Sequence, residues 1–204
     1  MIKQISGFAL TAPLMAGVLF LSGCAAPPQR YYTLALRPSA STSGALQRLQ
    51  KNQQPLRIEV MPVRVPERLN RSNLVVSNSD GTLTMLEQDR WSASLPDELR
   101  DAMSQQLQAD LGAIDTYRQG GSAAGRWYRI SVEVVQLDAA PGQHIDAVFN
   151  WTVLPLPGGT SSFGRSTISL PVGTQVGSVV AAYQDALASS AADIAEAVRA
   201  SVEK

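Results

Sequence analysis

The chain of 204 residues holds one cysteine, Cys24, and places it at the end of an apolar run from Phe8 to Leu21. With no second thiol the chain closes no internal disulfide, so whatever folds downstream must be held by a buried apolar core. Lys3 stands ahead of the run, Thr11 and Pro13 interrupt it, and the small residues Ser22 and Gly23 precede the cysteine. A charged start, an apolar centre and a small-residue cleavage zone make a secretory leader. The run is too short and too broken for a membrane span, which takes about 20 apolar residues. Residues 1–23 are therefore assigned to the leader, 24–30 to a tether and 31–204 to a single domain, since about 180 residues suffice for one well-cored unit.

The tetrad Leu21-Ser22-Gly23-Cys24 resembles the lipobox of bacterial lipoproteins. The resemblance implies a cut just before Cys24, a diacylglycerol on its sulfur and an acyl group on the freed amine. One chain binds a bilayer only marginally, and several together hold a protein stably. Ala25 follows, not aspartate, which in lipoproteins of enteric type implies export to the outer membrane. The alternatives are an ordinary leader cysteine or a free thiol, and an unpaired exposed thiol is disfavoured.

Charge excludes another class of partner. The chain carries 17 Lys+Arg and 17 Asp+Glu, and Lys3 leaves with the leader. Near-neutral charge without a basic run gives no footprint for nucleic acid. One histidine, His144, and no spare thiol argue against a transition-metal site. No cofactor is expected beyond the covalent lipid on Cys24.

Read in order, Tyr31–Leu36 is rich in strand formers and stops at Pro38. Ser39–Gln54 reads as loop. Leu56–Val63 alternates Leu56, Ile58 and Val60 against Arg57, Glu59 and Met61, which predicts a strand closed by Pro62 and Pro66. Val65–Arg71 predicts a single turn, and the Asp80-Gly81 pair predicts a hairpin between Leu74–Ser77 and Thr82–Leu86. Trp91 and the residues after it open a helix with Ser94 as N-cap, Asp97 and Glu98 at its positive end, and Gly112 at its close. Its apolar stripe is Leu95, Leu99, Met103, Leu107 and Leu111. Trp127–Leu137 alternates until Val134 and then shifts phase, which predicts a bulge. His144–Val153 and Phe163–Leu170 complete a meander. Val176–Val202 predicts an alanine-rich helix with Val180, Tyr183, Leu187, Ala191, Ile194 and Val198 on one face. The fold class that results is α+β, a mostly antiparallel sheet with two amphipathic helices packed on one face.

Several stretches together carry a family resemblance: Tyr31-Tyr32-Thr33-Leu34; Ile58-Glu59-Val60-Met61-Pro62-Val63 leading into Val65-Pro66 and Leu69-Asn70-Arg71; Trp91 before Leu95; and Tyr128-Arg129-Ile130 through Trp151. With the cysteine ahead of them, they resemble the PqiC-like ABC-transport auxiliary lipoproteins over nearly the whole mature chain. The resemblance implies a periplasm-facing outer-membrane lipoprotein that works with an inner-membrane component and a periplasm-spanning MCE-domain protein. Such systems are implicated in lipid movement and envelope integrity, and the implied role is docking, not catalysis.

Candidate partner-binding residues are Arg64, Arg68, Arg71, Arg90 and Trp91, because arginine with tryptophan enriches protein interfaces. Two alternatives stand beside this: Trp91 and Leu69 close the core while the arginines are solvated, or the arginines meet anionic headgroups. A carrier with its own apolar cavity between sheet and helices is the competing function, and a filled core argues against it. An envelope hydrolase is the third reading; His144 lies on a polar strand face and no Gly-x-Ser-x-Gly turn accompanies it. A homo-oligomer, ring or dimer, stays open.

Overall fold

The computed structural model describes residues 27–35, 56–119 and 125–202. Cys24, the leader and the expected Ser39–Gln54 loop lie outside the described residues. Within them the order is β1 (Arg30–Tyr32), β2 (Leu56–Val60), a 3-10 turn (Glu67–Leu69), β3 (Asn73–Ser77), β4 (Leu83–Trp91) and α1 (Leu95–Leu111). Then come β5 (Ala113–Asp115), β6 (Trp127–Ala140), β7 (His144–Leu156), β8 (Ser162–Pro171) and α2 (Val176–Val202).

The class is α+β with two helices on mostly antiparallel strands, as the sequence predicts, and the difference is that the described strands divide into two sheets where one is expected. There are two sheets, ordered β5-β2-β6-β7-β8 and β1-β4-β3. Both are mixed: β2 runs parallel to β5 and β6, and β1 parallel to β4, whereas β6-β7, β7-β8 and β3-β4 are antiparallel. The reason lies in chain order. Between β2 and β6 the chain makes β3, β4, α1 and β5, and a long crossover returns a strand in the parallel sense.

A second correction concerns Trp91. It ends β4, which runs on from Leu83 well past Leu86, and α1 begins only at Leu95. Gly112 closes α1 in the left-handed conformation (φ 60°) with its N–H on the Gln108 carbonyl, a backbone state that glycine adopts without a Cβ penalty.

The bulge falls where the phase shift places it. Pairing of β6 with β7 slips between Val134 and Gln136, so Tyr128, Ile130, Val132 and Val134 face inward, then Leu137 and Ala139. Val135 is turned out. Across the sheet, Trp151 lies over its strand partner Gly164, where a Cβ would come within 2.3 Å of the indole; the strand needs a residue without a side chain there.

Both helices cover the same face. α1 lies over β2 and β5, α2 over β7 and β8, and the helices touch each other. The buried residues form one cluster from both sheets and both helices. In α2 the whole predicted face from Val180 to Val198 is buried. Tyr183 of that face meets Trp91 with ring centroids 6.4 Å apart, so one helix seals the seam between the sheets.

Candidate docking surface

Among the described residues, no helix lies on the outer face of the five-stranded sheet. After β2 the chain stays beside β6: the Met61 N–H donates to the Ile130 carbonyl (2.9 Å), Arg64 N–H to Val132 (3.2 Å), and Val134 N–H to Arg64 (2.8 Å). Pro62 stops the regular ladder by removing a donor, yet Arg64 still pairs with Glu133 as an isolated parallel bridge. This docking of irregular chain against the bulge opens two shallow surface grooves, of about 290 Å³ and about 400 Å³, both touched by Arg64, Glu133 and Asn150. Val65, Pro66 and Val135 give the larger groove an apolar floor.

Neighbouring cations on this face are held. Arg129 donates to Glu59 (2.8 Å) and stands 5.2 Å from the Trp127 ring centre. Arg165 donates to Asn150 (2.8 Å). The exposed Arg64 guanidinium has no hydrogen-bond or ion-pair partner among the described residues, which leaves its donors available to an acceptor from outside.

The structure disperses the other predicted residues. Trp91 is 5 % exposed and belongs to the core, so the core alternative holds for it. Arg68 pairs with Asp138 (3.1 Å), and Arg71 lies on the Met85 sulfur (2.7 Å). Arg90 is half-buried, and its Nε is enclosed with no partner among the described residues. Sequence reasoning missed Glu133, Asn150 and Arg165 as companions of Arg64. The pairing of Asn150 with Arg165 follows from hairpin register, which a turn of known length would have fixed.

Two polar clusters that spacing did not reveal hold the scaffold. The Glu98 carboxyl accepts from Thr33 Oγ1 (2.8 Å), Leu34 N–H (2.8 Å), Ala93 N–H (3.1 Å) and the Ser92 hydroxyl. It ties the segment after β1 to the start of α1. Arg100 donates to the Val60 carbonyl (3.2 Å) and pairs with Asp115, which also accepts from Ser104 (2.6 Å). On β4, buried Asp89 accepts from Tyr32 (3.0 Å) and pairs with Arg30 (2.7 Å). Hydrogen bonding to Asp89 raises the Arg30 pKa; burial, then Asp89, raises that of Tyr32.

His144 is half-exposed at the start of β7 and lies 3.1 Å from Asp146. No group of three or more His, Cys, Asp or Glu able to hold a metal occurs among the described residues. Ile130, Val132, Phe149, Leu187 and Ile194 are buried, with Trp151 half-buried beside them. The cleft at Leu69, Trp91, Leu95 and Tyr183 measures about 10 Å³, the size of one water and far below an acyl chain.

Comparison with known proteins fits this architecture. A search of the curated proteins finds no match. Among solved structures, the crystal structure of an uncharacterized protein is similar with a TM-score of 0.66 and 18% identity, covering 84% of this chain and 99% of that one. A Xanthomonas campestris protein is similar with a TM-score of 0.54 and 18% identity, covering 81% of this chain and 92% of that one. These likenesses establish the shared fold. Residues 32–195, which span both sheets and most of α2, match the ABC-type transport auxiliary lipoprotein component family, and the chain belongs to that family.

Proposed function

We propose that the protein is a periplasm-facing lipoprotein of the outer membrane, anchored through lipid on Cys24, that serves as the docking subunit of an MCE-type lipid transport system and so supports envelope integrity. Family membership over residues 32–195 is the observation that carries the transport-auxiliary role. The surface favours docking: among the described residues the sheet face has no helix over it, its grooves have an apolar floor, and Arg64 has no partner. The close-packed core cluster and the water-sized cleft beside Trp91, among the described residues, weigh against the carrier alternative.

The test is crosslinking of the lipidated protein in intact envelopes, followed by mass spectrometry of captured proteins and lipids. An MCE-domain protein as the main partner supports the reading. Stoichiometric lipid without a protein partner refutes it in favour of a carrier. Arg64→Ala should cut partner capture at least several-fold and leave stability within about 0.5 kcal/mol of the parent, as befits an exposed side chain. Undiminished capture removes Arg64 from the interface.

A further inference from the structure

We propose that the β3–β4 hairpin is a foot on the bilayer, its Leu83–Met85 side resting at the lipid interface beside the anchor. The inference depends on the reading of Cys24 as the lipidated residue, and the direction of the chain carries it. β1 runs parallel to β4, Arg30 beside Asp89 and Tyr32 beside Trp91. The residues ahead of Arg30 therefore approach from the end of the sheet where β4 begins. Cys24 lies six residues before Arg30, a reach of at most about 20 Å. Leu83 lies six residues before Asp89 on β4, about 20 Å along the same direction. A taut tether brings Cys24 level with Leu83, and a slack one brings the bilayer closer still. A tether that runs on in this direction holds the hairpin within contact range of the bilayer.

The side chains at that end suit an interface. Leu83 and Met85 are 47 % and 52 % exposed. The Arg71 guanidinium sits on the Met85 sulfur, which places a cation directly beside the apolar pair. Apolar residues edged by arginine match the boundary between acyl chains and anionic headgroups. The carboxyl of Asp80 at the turn accepts from the Thr82 N–H (2.9 Å) and hydroxyl (2.6 Å), and burial pulls against ionised groups. The hairpin consequently lies on its side, with the turn among hydrated headgroups. Exposed Glu87 bounds the patch toward the body of the protein.

The experiment uses the mature lipidated protein carrying a nitroxide at Leu83→Cys, Met85→Cys or, as reference, Thr167→Cys on β8. Each is bound to vesicles of phosphatidylethanolamine and phosphatidylglycerol, and collisional accessibility to oxygen and to a water-soluble nickel chelate is measured. At 83 and 85 the oxygen-to-nickel ratio should rise several-fold over that at 167. Equal, water-like ratios at all three positions overturn the proposal. So does shielding at 83 and 85 accompanied by dipolar broadening between labels, which identifies a second copy as the cover. The mass of the same protein reports lipid on Cys24 separately, so failure of the anchor and failure of the foot are distinguishable.

Discussion

The five-stranded sheet turns its inner face to two helices and closes it with aliphatic and aromatic side chains, whereas the three-stranded sheet adds to its own share of that core two buried carboxyl groups, one joining its strands and one joining it to α1. Phe149, Ile130 and Ile194 are fully buried in the first. Asp89 and Glu98, each surrounded by donors, hold the second. Apolar contact is non-directional and tolerates small displacements, while a hydrogen bond weakens steeply with angle. The large sheet supplies most of the stability, and the polar fastenings fix where the small sheet sits.

The contrast breaks if damage to either half has the same consequence. Phe149→Ala removes a buried ring from the large core and should cost about 3–5 kcal/mol, read as a global fall in the urea midpoint. Glu98→Ala should cost about 2–4 kcal/mol, because it leaves buried donors unmatched. Hydrogen exchange should localise that loss to Leu34 and Ala93 before the meander of β6, β7 and β8 is affected. Simultaneous loss of protection in both sheets would show that the small sheet is no separate fastening. A gentler probe addresses the seam. Burial raises the Tyr183 pKa well above its ordinary value of 10.0. Since the folded value is the higher one, this group's contribution is constant below pH 10 and declines above it, by up to about 1.4 kcal/mol per pH unit. Tyr183→Phe should flatten the alkaline limb of a stability curve; an unchanged limb would move the seam's titration to another group.

The halves also differ in how far the sequence discloses them. The meander, its bulge after Val134 and both helix faces leave local periodicities, and the structure places them as those periodicities predict. Parallel pairing of β1 with β4 and of β2 with β6 joins residues far apart in the chain, and such contacts leave no local period. Trp91 reads as a helix start for the same reason, because its strand partner is Tyr32. Glu98 reads as a helix-dipole carboxyl until Thr33 and Leu34 are seen above it. Of the arginine cluster, Arg64 lies on the uncovered face while Arg68 and Arg71 meet Asp138 and Met85, since ion pairing across elements depends on tertiary placement.

The parallel alignment of β1 with β4 has a mechanical meaning. A pull applied ahead of Arg30 along the axis of β1 would load the β1–β4 bonds and the Arg30–Asp89 pair in shear, so that they share the force together instead of opening one after another like a zipper. Three residues of edge strand thereby act as a strain relief between the segment ahead of them and the core.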